Sequence, residues 1–284
     1  MDSYPTLEEF LIVPQEDVAK VAPLSMSYGA GGTRRAAVFA GIEPWSNDFM
    51  VWAHERMLDS QALIFQYGIQ HLFSPLIVPN NLKEVHHQRH QLFRQIEPVL
   101  TRPEAIARYQ TLGIRVRLLG GEQVPEVRET AEKLHRLTAA NGKQTLYWTV
   151  VLDLEDLWNQ LFAAVHQANV RTQAQAIRAL YGEDIPPITL YLNHGKPEFS
   201  FNTLPPLLLG QAQCYWNQQP GSMLDDKLLR KIFYDYAYLR RTFQTDKLER
   251  AQAALTDQQM WMSAPLLGLG TRLGPFWYPA PTAS

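Results

Sequence analysis

Hydrophobic residues along this chain follow two alternating spacings. Short apolar, β-rich runs occur at residues 24–28, 71–78, 114–119, 145–152, 188–192 and 213–216. Stretches with apolar residues at helical spacing lie between them, at residues 48–67, 82–97, 102–112, 124–139, 154–167, 172–180 and 224–243. Because parallel strands need long crossovers, the pattern predicts an α/β protein with a mostly parallel central sheet of about six strands flanked by helices.

The alternation continues without an obvious linker or internal repeat, which predicts a single domain over residues 1–284. A chain of 284 residues can bury a large core. We expect the core of the domain at about residues 20–245 and a Gly/Pro-rich tail at residues 265–284. The tail is interpreted either as a loop or as a segment whose Phe276, Trp277 and Tyr278 close over an apolar cavity.

Composition and charge narrow the class of partners. A net charge of -2 gives no global field for nucleic acid or anionic membranes. No window approaches an uncharged apolar stretch of ~20 residues, and the N-terminus lacks a signal-peptide pattern. The single cysteine, Cys214, is interpreted as a core residue in a reducing compartment. We therefore expect a cytoplasmic protein with no nucleic-acid partner and no stable membrane insertion.

The candidate chemistry lies directly after the first predicted strand, where Gly31, Gly32, Thr33, Arg34 and Arg35 follow one another. In open parallel sheets, ligands bind at the carboxyl ends of the strands. Glycines let backbone amides converge on an oxyanion, and two guanidiniums supply forked donors for phosphate oxygens. The spacing is not that of a P-loop. The segment indicates a phosphate site, and its alternative is a flexible turn followed by a basic helix start.

Other stretches give this loop a family context. Residues 113–121, followed by residues 124–141, resemble the middle of undecaprenyl diphosphate synthase and other cis-prenyltransferases. The Gly-Thr-Arg-Arg of the loop, Phe73-Ser74-Pro75 and residues 233–241 resemble the branch with tuberculosinol synthase, tuberculosinyl adenosine transferase and the kolavelool synthases. The resemblance covers about residues 20–245. It implies a cis-prenyltransferase-like fold, an allylic C20 diphosphate substrate, an accompanying Mg²⁺ ion and a homodimer, with residues 224–243 as a candidate contact.

The sequence departs from that family at both of its diphosphate sites. The aspartate that opens the family loop corresponds to Gly31, so a metal ligand is missing and no protein metal ligands are predicted. The family's arginine cluster for the second, homoallylic diphosphate corresponds to residues 191–200, where the arginines are absent. Because elongation needs both substrates bound together, we expect ionisation of one substrate instead.

The resemblance, together with these departures, implies a diterpene synthase that ionises a bicyclic diterpenyl diphosphate, such as kolavenyl or tuberculosinyl diphosphate. Arg34 and Arg35 are the predicted catalytic residues, which stabilise the departing diphosphate before water captures the cation as a kolavelool-like alcohol. The predicted substrate-binding residues are Gly31, Gly32, Thr33, Lys196, His194, Asn193, Tyr191, Phe49 and Trp45. The alternatives are a diterpenyl transferase to a nucleoside or other acceptor, and a non-catalytic lipid-binding prenyltransferase-like subunit.

Two further groups of polar residues are interpreted as structural. His86 and His90 share one face of a predicted helix, as zinc ligands sometimes do, but a polar helix face is the better account. The acidic residues 153–156 stand between a strand and a helix, where they are typical of a helix cap. The acidic cluster of a protonating cyclase is absent, so we expect ring formation to occur on another enzyme.

Overall fold

The protein is described by a computed structural model that covers residues 4–44, 46–79, 86–121, 124–200, 204–240 and 247–279. Its centre is a sheet of six strands, in which every neighbouring pair is parallel. The strands are β1 (Ser25–Gly29), β2 (His71–Ile77), β3 (Ile114–Leu119), β4 (Gln144–Val150), β5 (Ile188–His194) and β6 (Leu209–Asn217). The predicted fold class, a single α/β domain around a parallel sheet of about six strands, is confirmed.

The order of the strands places a crevice at the centre of the sheet. The order is β3-β4-β2-β1-β5-β6, so β1 pairs with β2 on one side and with β5 on the other. The chain leaves β1 towards β2 and later leaves β5 in the opposite direction, towards β6. A reversal of this kind separates the loops that follow the two strands and forms a ligand crevice at their carboxyl ends. Gly29 and Asn193 are paired at this point.

Helices flank the sheet, and several begin at residues whose side chains cap them. The helices that precede β3 are α1 (Leu7–Ile12), α2 (Gln15–Ala19), α3 (Thr33–Phe39), α4 (Asn47–Gln66), α5 (His86–Leu100) and α6 (Pro103–Leu112). The later ones are α7 (Pro125–Thr138), α8 (Asp156–Ala168), α9 (Gln173–Tyr181), α10 (Asp226–Tyr234), α11 (Lys247–Thr256) and α12 (Gln258–Met262). Thr6, Ser46, Thr172 and Asp225 accept backbone hydrogen bonds at the starts of α1, α4, α9 and α10.

The main hydrophobic core lies between the sheet and the helices that cover it. All five residues of β1 are buried, as expected for a central strand with both faces covered. Leu58 of α4, Leu72 of β2, Trp148 of β4 and Phe233 of α10 are fully buried in one cluster. Within the described ranges, no helix combines the length and the apolar character that a bilayer crossing requires.

The chain after residue 220 differs from the predicted pattern in two places. The helix predicted at residues 224–243 begins after its cap Asp225, and its α-helical part ends at Tyr234. A π-helical turn, Asp235–Leu239, follows and is closed by a 3.0 Å bond from the Arg240 amide to the Asp235 carbonyl. The tail is not entirely loop, because β7 (Gly270–Leu273) and β8 (Phe276–Pro279) form an antiparallel hairpin.

Candidate active site

A cavity of about 750 Å³ extends from the crevice between β1 and β5 to the space between α4 and α5. At one end it is lined by the segment from Gly29 to Arg35, which is called the loop end below. The opposite wall is largely apolar and is formed by Met50, Ala53, Met57, Leu76, Ile77, Leu92, Ile96, Val99 and Leu100. A chamber with cations at one end and hydrocarbon around the rest suits an amphiphile with an anionic head group.

The glycines of the loop end are required by close backbone contacts. A Cβ atom on Gly31 would lie 2.2 Å from the His194 carbonyl oxygen, so a side chain there would displace one of the two strand ends. Gly32 precedes α3 with φ of 79°, a left-handed conformation that glycine adopts without steric cost. The structure therefore contains the tight glycine turn, followed by a helix, that the sequence predicted.

Part of the hydrogen-bonding capacity predicted for an anion is used inside the loop. The Gly31 amide donates to the Gly29 carbonyl at 2.9 Å, and the Gly31 carbonyl accepts from the Gly221 amide at 2.8 Å. The Thr33 hydroxyl donates to the Ala30 carbonyl at 3.1 Å. In this geometry Gly31 and Thr33 fix the shape of the loop, and the side chains of Arg34 and Arg35 line the same end of the cavity.

The two arginines line the cavity, and Arg35 is held in place by contacts with distant parts of the chain. Its Nη2 donates to the Gln218 carbonyl at 2.9 Å, and its guanidinium carbon lies 5.8 Å from the centroid of the Phe276 ring. A guanidinium has five N–H donors, so one bond to the protein leaves donors for a ligand. Arg35 is thus a fixed cation at the loop end.

The residues predicted at the end of β5 divide into two groups because successive side chains on a strand point to opposite faces. Tyr191 and Asn193 line the cavity. The Asn193 Oδ1 atom accepts from the His194 amide at 2.9 Å, and burial raises the pKa of Tyr191 to about 12. His194 and Lys196 are not part of the described lining, and Lys196 is exposed.

His194 has a structural environment. Its Nδ1 atom lies 3.0 Å from the Gly29 carbonyl, which can only accept, so Nδ1 carries the proton. Its ring packs edge-on against Tyr28 at 5.5 Å, and the buried Nε2 atom has no hydrogen-bond partner among the described residues. Burial lowers the pKa of His194, which favours a neutral ring. These contacts join the ends of β1 and β5 below the loop.

Of the two aromatic residues predicted for the hydrocarbon part of the site, the structure describes one. Phe49 is 8% exposed, packs with Ala37 and Ala53, and lines the cavity. Its amide donates to the hydroxyl of Ser46, the cap of α4, which fixes the start of that helix. Trp45 lies outside the described residues.

His54 was not predicted from the sequence, yet it lines the cavity from α4 and is 1% exposed. Its Nε2 atom lies 2.7 Å from the Tyr109 hydroxyl, and its Nδ1 atom lies 3.4 Å from Nη1 of Arg102. Arginine can only donate, so Nδ1 is the acceptor and Nε2 carries the proton. Burial and, to a lesser extent, the charges of Arg102 and Arg108 lower the pKa of His54 to about 3.

Two other lining residues were not among the predicted substrate-binding residues, although Phe276 was one of the tail aromatics that the sequence offered as closing over an apolar cavity. Glu198, in the chain that follows β5, is the sole acidic side chain in the described lining. Phe276, from the C-terminal hairpin, completes the loop end. No group of three or more His, Cys, Asp or Glu side chains in the described part of the chain could hold a metal ion. The described side chains therefore do not form a metal site from protein ligands alone. The helix positions of His86 and His90 are described, but their side chains are not.

Comparison with characterised proteins gives two relatives. The chain is 41% identical to (+)-kolavelool synthase of Herpetosiphon aurantiacus over 280 residues, which cover 98% of this chain and 97% of that protein. It is 22% identical to tuberculosinyl adenosine transferase of Mycobacterium tuberculosis over 253 residues, which cover 82% and 83% of the two chains. No protein-family profile matches the chain.

Two solved structures share the fold. Lavandulyl diphosphate synthase from Lavandula x intermedia, in complex with dimethylallyl diphosphate, superposes with a TM-score of 0.59 at 16% identity, over 77% of this chain and 97% of that one. A probable undecaprenyl diphosphate synthase from Campylobacter jejuni gives 0.56 at 13% identity, over 78% and 98%. These likenesses confirm the predicted cis-prenyltransferase-like fold.

Proposed function

The chain belongs to the family of (+)-kolavelool synthase and is a terpene synthase, and on this premise we propose how its cavity makes a diterpene alcohol. The substrate is a bicyclic diterpenyl diphosphate, of which kolavenyl diphosphate is the example that the relative's product indicates. The observation that carries the proposal is the placement of Arg34 and Arg35 at one end of a cavity of about 750 Å³ whose opposite wall is largely apolar.

The reaction begins with the allylic C–O bond, which breaks with its electron pair on the diphosphate oxygen. Arg34 and Arg35 stabilise the growing negative charge, and preorganised donors of this kind typically contribute about 10² to 10³ in rate. The bicyclic part lies against Met57, Leu76 and Ile96, where the surface is apolar. The allylic cation is left between the arginines and this wall.

Capture by water completes the reaction. A lone pair of the water oxygen forms a C–O bond at the tertiary carbon of the cation, and the excess proton on that oxygen passes to the departing diphosphate. His54 is unsuited to take it, because its one lone pair faces Arg102 and its pKa is about 3. The products are a tertiary diterpene alcohol and inorganic diphosphate.

Magnesium enters the proposal only as a companion of the diphosphate. Mg²⁺ at phosphate sites is usually held by one or two carboxylates together with substrate phosphates, and Glu198 is the one carboxylate in the described lining. Bound to diphosphate oxygens, the ion would neutralise charge on the leaving group. We also propose a homodimer in the cytoplasm; the family resemblance supports the dimer, and the composition supports the compartment.

A diterpenyl transferase is the second candidate, supported by the 22% identity to tuberculosinyl adenosine transferase. It would capture the same cation with a nucleobase nitrogen in place of water. Product masses measured with and without adenosine distinguish the two activities. Turnover by the purified chain alone would exclude the third possibility, a non-catalytic lipid-binding subunit.

The test of the proposed site is Arg34→Ala, assayed by release of diphosphate from bicyclic and linear C20 diphosphates. We expect kcat/KM to fall by about 10² or more, because a donor to the leaving group is lost. Arg136→Ala, at the exposed end of α7 and outside the cavity lining, is the control and should retain full activity. Unchanged turnover in Arg34→Ala would remove the loop end as the diphosphate site.

A further inference from the structure

Phe276 reaches the loop end from the far end of the sequence. It is about 240 residues downstream of Arg34 and Arg35, yet its ring lines the same cavity. The Arg35 guanidinium lies over this ring, with its central carbon 5.8 Å from the ring centroid. This distance is within the range in which an aromatic face attracts a cation.

The position of Phe276 is fixed by the C-terminal hairpin. Phe276 pairs with Leu273 across the turn, and Trp277 pairs with Arg272. The Trp277 ring occupies the space that a Cβ atom on Gly270 would need, with ring atoms 2.1 Å from that position. Gly268, just before the hairpin, approaches the Pro197 ring in the chain after β5. The hairpin therefore lies next to Arg35 of the loop end and next to the chain that follows β5.

We propose that Phe276 is a substrate-contacting residue that closes the diphosphate end of the cavity, holds the Arg35 guanidinium and determines which carbon of the cation water reaches. The inference rests on the proposed function, because it concerns capture of the allylic cation. An aromatic face stabilises positive charge without acting as a nucleophile or a base, which suits a wall beside a short-lived cation.

The consequence for the product follows from the two ends of an allylic cation. Its charge is shared between a tertiary carbon and the primary carbon that carried the diphosphate. Water at the tertiary carbon gives the tertiary alcohol, and water at the primary carbon gives the primary alcohol. The primary carbon is released next to the arginines and therefore next to Phe276. A ring in this position keeps bulk water from the primary carbon.

The experiment compares Phe276→Ala and Phe276→Tyr with Tyr278→Ala. Tyr278 lies on the same strand, is 51% exposed as Phe276 is, and is outside the described cavity lining, so it is a matched control. Each purified protein is given a bicyclic C20 allylic diphosphate, and diphosphate release and the ratio of tertiary to primary alcohol are measured. Circular dichroism and thermal unfolding show that each variant is folded.

We expect Phe276→Ala to lower kcat about threefold to tenfold and to lower the ratio of tertiary to primary alcohol by a similar factor. Phe276→Tyr should restore both values, because it keeps the ring, and Tyr278→Ala should match the unaltered protein. A merely structural role would reduce turnover without changing the product ratio. An unchanged ratio in Phe276→Ala, or an equal change in Tyr278→Ala, would overturn the inference.

The unaltered protein separates this inference from the proposed function. If it releases no diphosphate from any C20 allylic diphosphate, the proposed function fails and the inference fails with it. If it makes the tertiary alcohol and Phe276→Ala does so in the same ratio and at the same rate, the proposed function stands and the role of Phe276 alone is rejected.

Discussion

The loop end of the cavity and the opposite wall around His54 both contain basic side chains, but they differ in charge. At the loop end, the guanidiniums of Arg34 and Arg35 line the cavity, and Arg35 is held by the Gln218 carbonyl and the Phe276 ring. At the opposite wall, His54 is buried, and its pKa is lowered to about 3.

The difference indicates that the two ends of the cavity suit different parts of the proposed substrate. In the proposed mechanism, positive charge is concentrated where the diphosphate would leave, and the neutral His54 ring lies where hydrocarbon would be bound. A protonated histidine at the apolar wall would be costly to bury and would repel a carbocation. Arg102, which faces His54, places its own charge in an ion pair with Glu55 at 2.7 Å. The wall thus contains polar groups that are satisfied within the protein.

The largest effect on the contrast between the charged loop end and the neutral wall is expected from Arg35→Ala, which removes the fixed cation. We expect kcat/KM to fall by about 10² to 10³, since a donor to the leaving group is lost. Arg35→Lys should recover only part of the activity, because an ammonium lacks the planar fork of the guanidinium. Both are measured as initial rates of diphosphate release.

Lys196→Ala tests whether the effect of Arg35→Ala depends on the position of the cation in the cavity. Lys196 was predicted to bind substrate but is exposed and outside the described lining, so its loss should change kcat/KM less than about threefold. An effect as large as that of Arg35→Ala would mean that the loop after β5 closes onto the diphosphate.

The difference between Lys196 and Arg35 shows what sequence patterns can locate. The glycine-arginine segment was found because a strand, a tight turn and a helix start have local signals in the sequence. The residues at the end of β5 were found as a group, but alternation puts Tyr191 and Asn193 on one face and His194 on the other. Which face borders the cavity depends on helices that are distant in sequence.

The residues that were missed depend on tertiary contacts. His54 lies on a helix that was predicted with nearly correct bounds, 48–67 against Asn47–Gln66. Nothing local distinguishes its cavity-facing position from the rest of the helix, because the cavity wall also requires α5 and β2. The tail that carries Phe276 was not missed but was left open between a loop and a segment that closes over the cavity, because a composition rich in glycine and proline suits both. The short helices α1 and α2 lack the length over which periodicity can be recognised.

A smaller effect is expected from Gly31→Ala, which tests whether close packing shapes the loop end. The new Cβ atom would meet the His194 carbonyl at 2.2 Å, so β1 and β5 must separate locally. We expect a loss of about 2 kcal/mol in the free energy of unfolding and a higher KM, because displaced backbone no longer positions the arginines. Urea unfolding and steady-state kinetics measure the two effects.

Gly210→Ala is the matched control for Gly31→Ala. Gly210 lies on β6 with nothing within 4 Å of the added Cβ atom and with φ outside the left-handed region. Its free energy of unfolding should change by less than about 0.5 kcal/mol. If Gly31→Ala were as stable and as active as Gly210→Ala, the loop end would be more adaptable than its contacts indicate.

The last prediction concerns the neutral wall and is tested by the pH dependence of the free energy of unfolding. The pKa of His54 in the folded protein, about 3, lies below its ordinary value of 6.5. Between these values the unfolded chain takes up a proton that the folded chain does not, so the free energy of unfolding falls as pH decreases. From pH 7 to pH 5 this loss amounts to roughly 2 kcal/mol.

His54→Gln isolates this contribution because the variant cannot take up that proton. The hydrogen bond to Tyr109 is altered at every pH, whereas removal of the imidazole removes only the part of the pH-dependent loss that comes from His54. Burial also lowers the pKa of His194 and His71, and their contributions remain in the variant. His166→Gln, at an exposed position near the end of α8, should keep the slope of the unaltered protein. Urea unfolding at pH 7, 6 and 5 gives the three slopes. Equal slopes for His54→Gln and the unaltered protein would mean that His54 takes up its proton as readily in the folded protein as in the unfolded chain. The contrast between a charged loop end and a neutral wall would then be wrong.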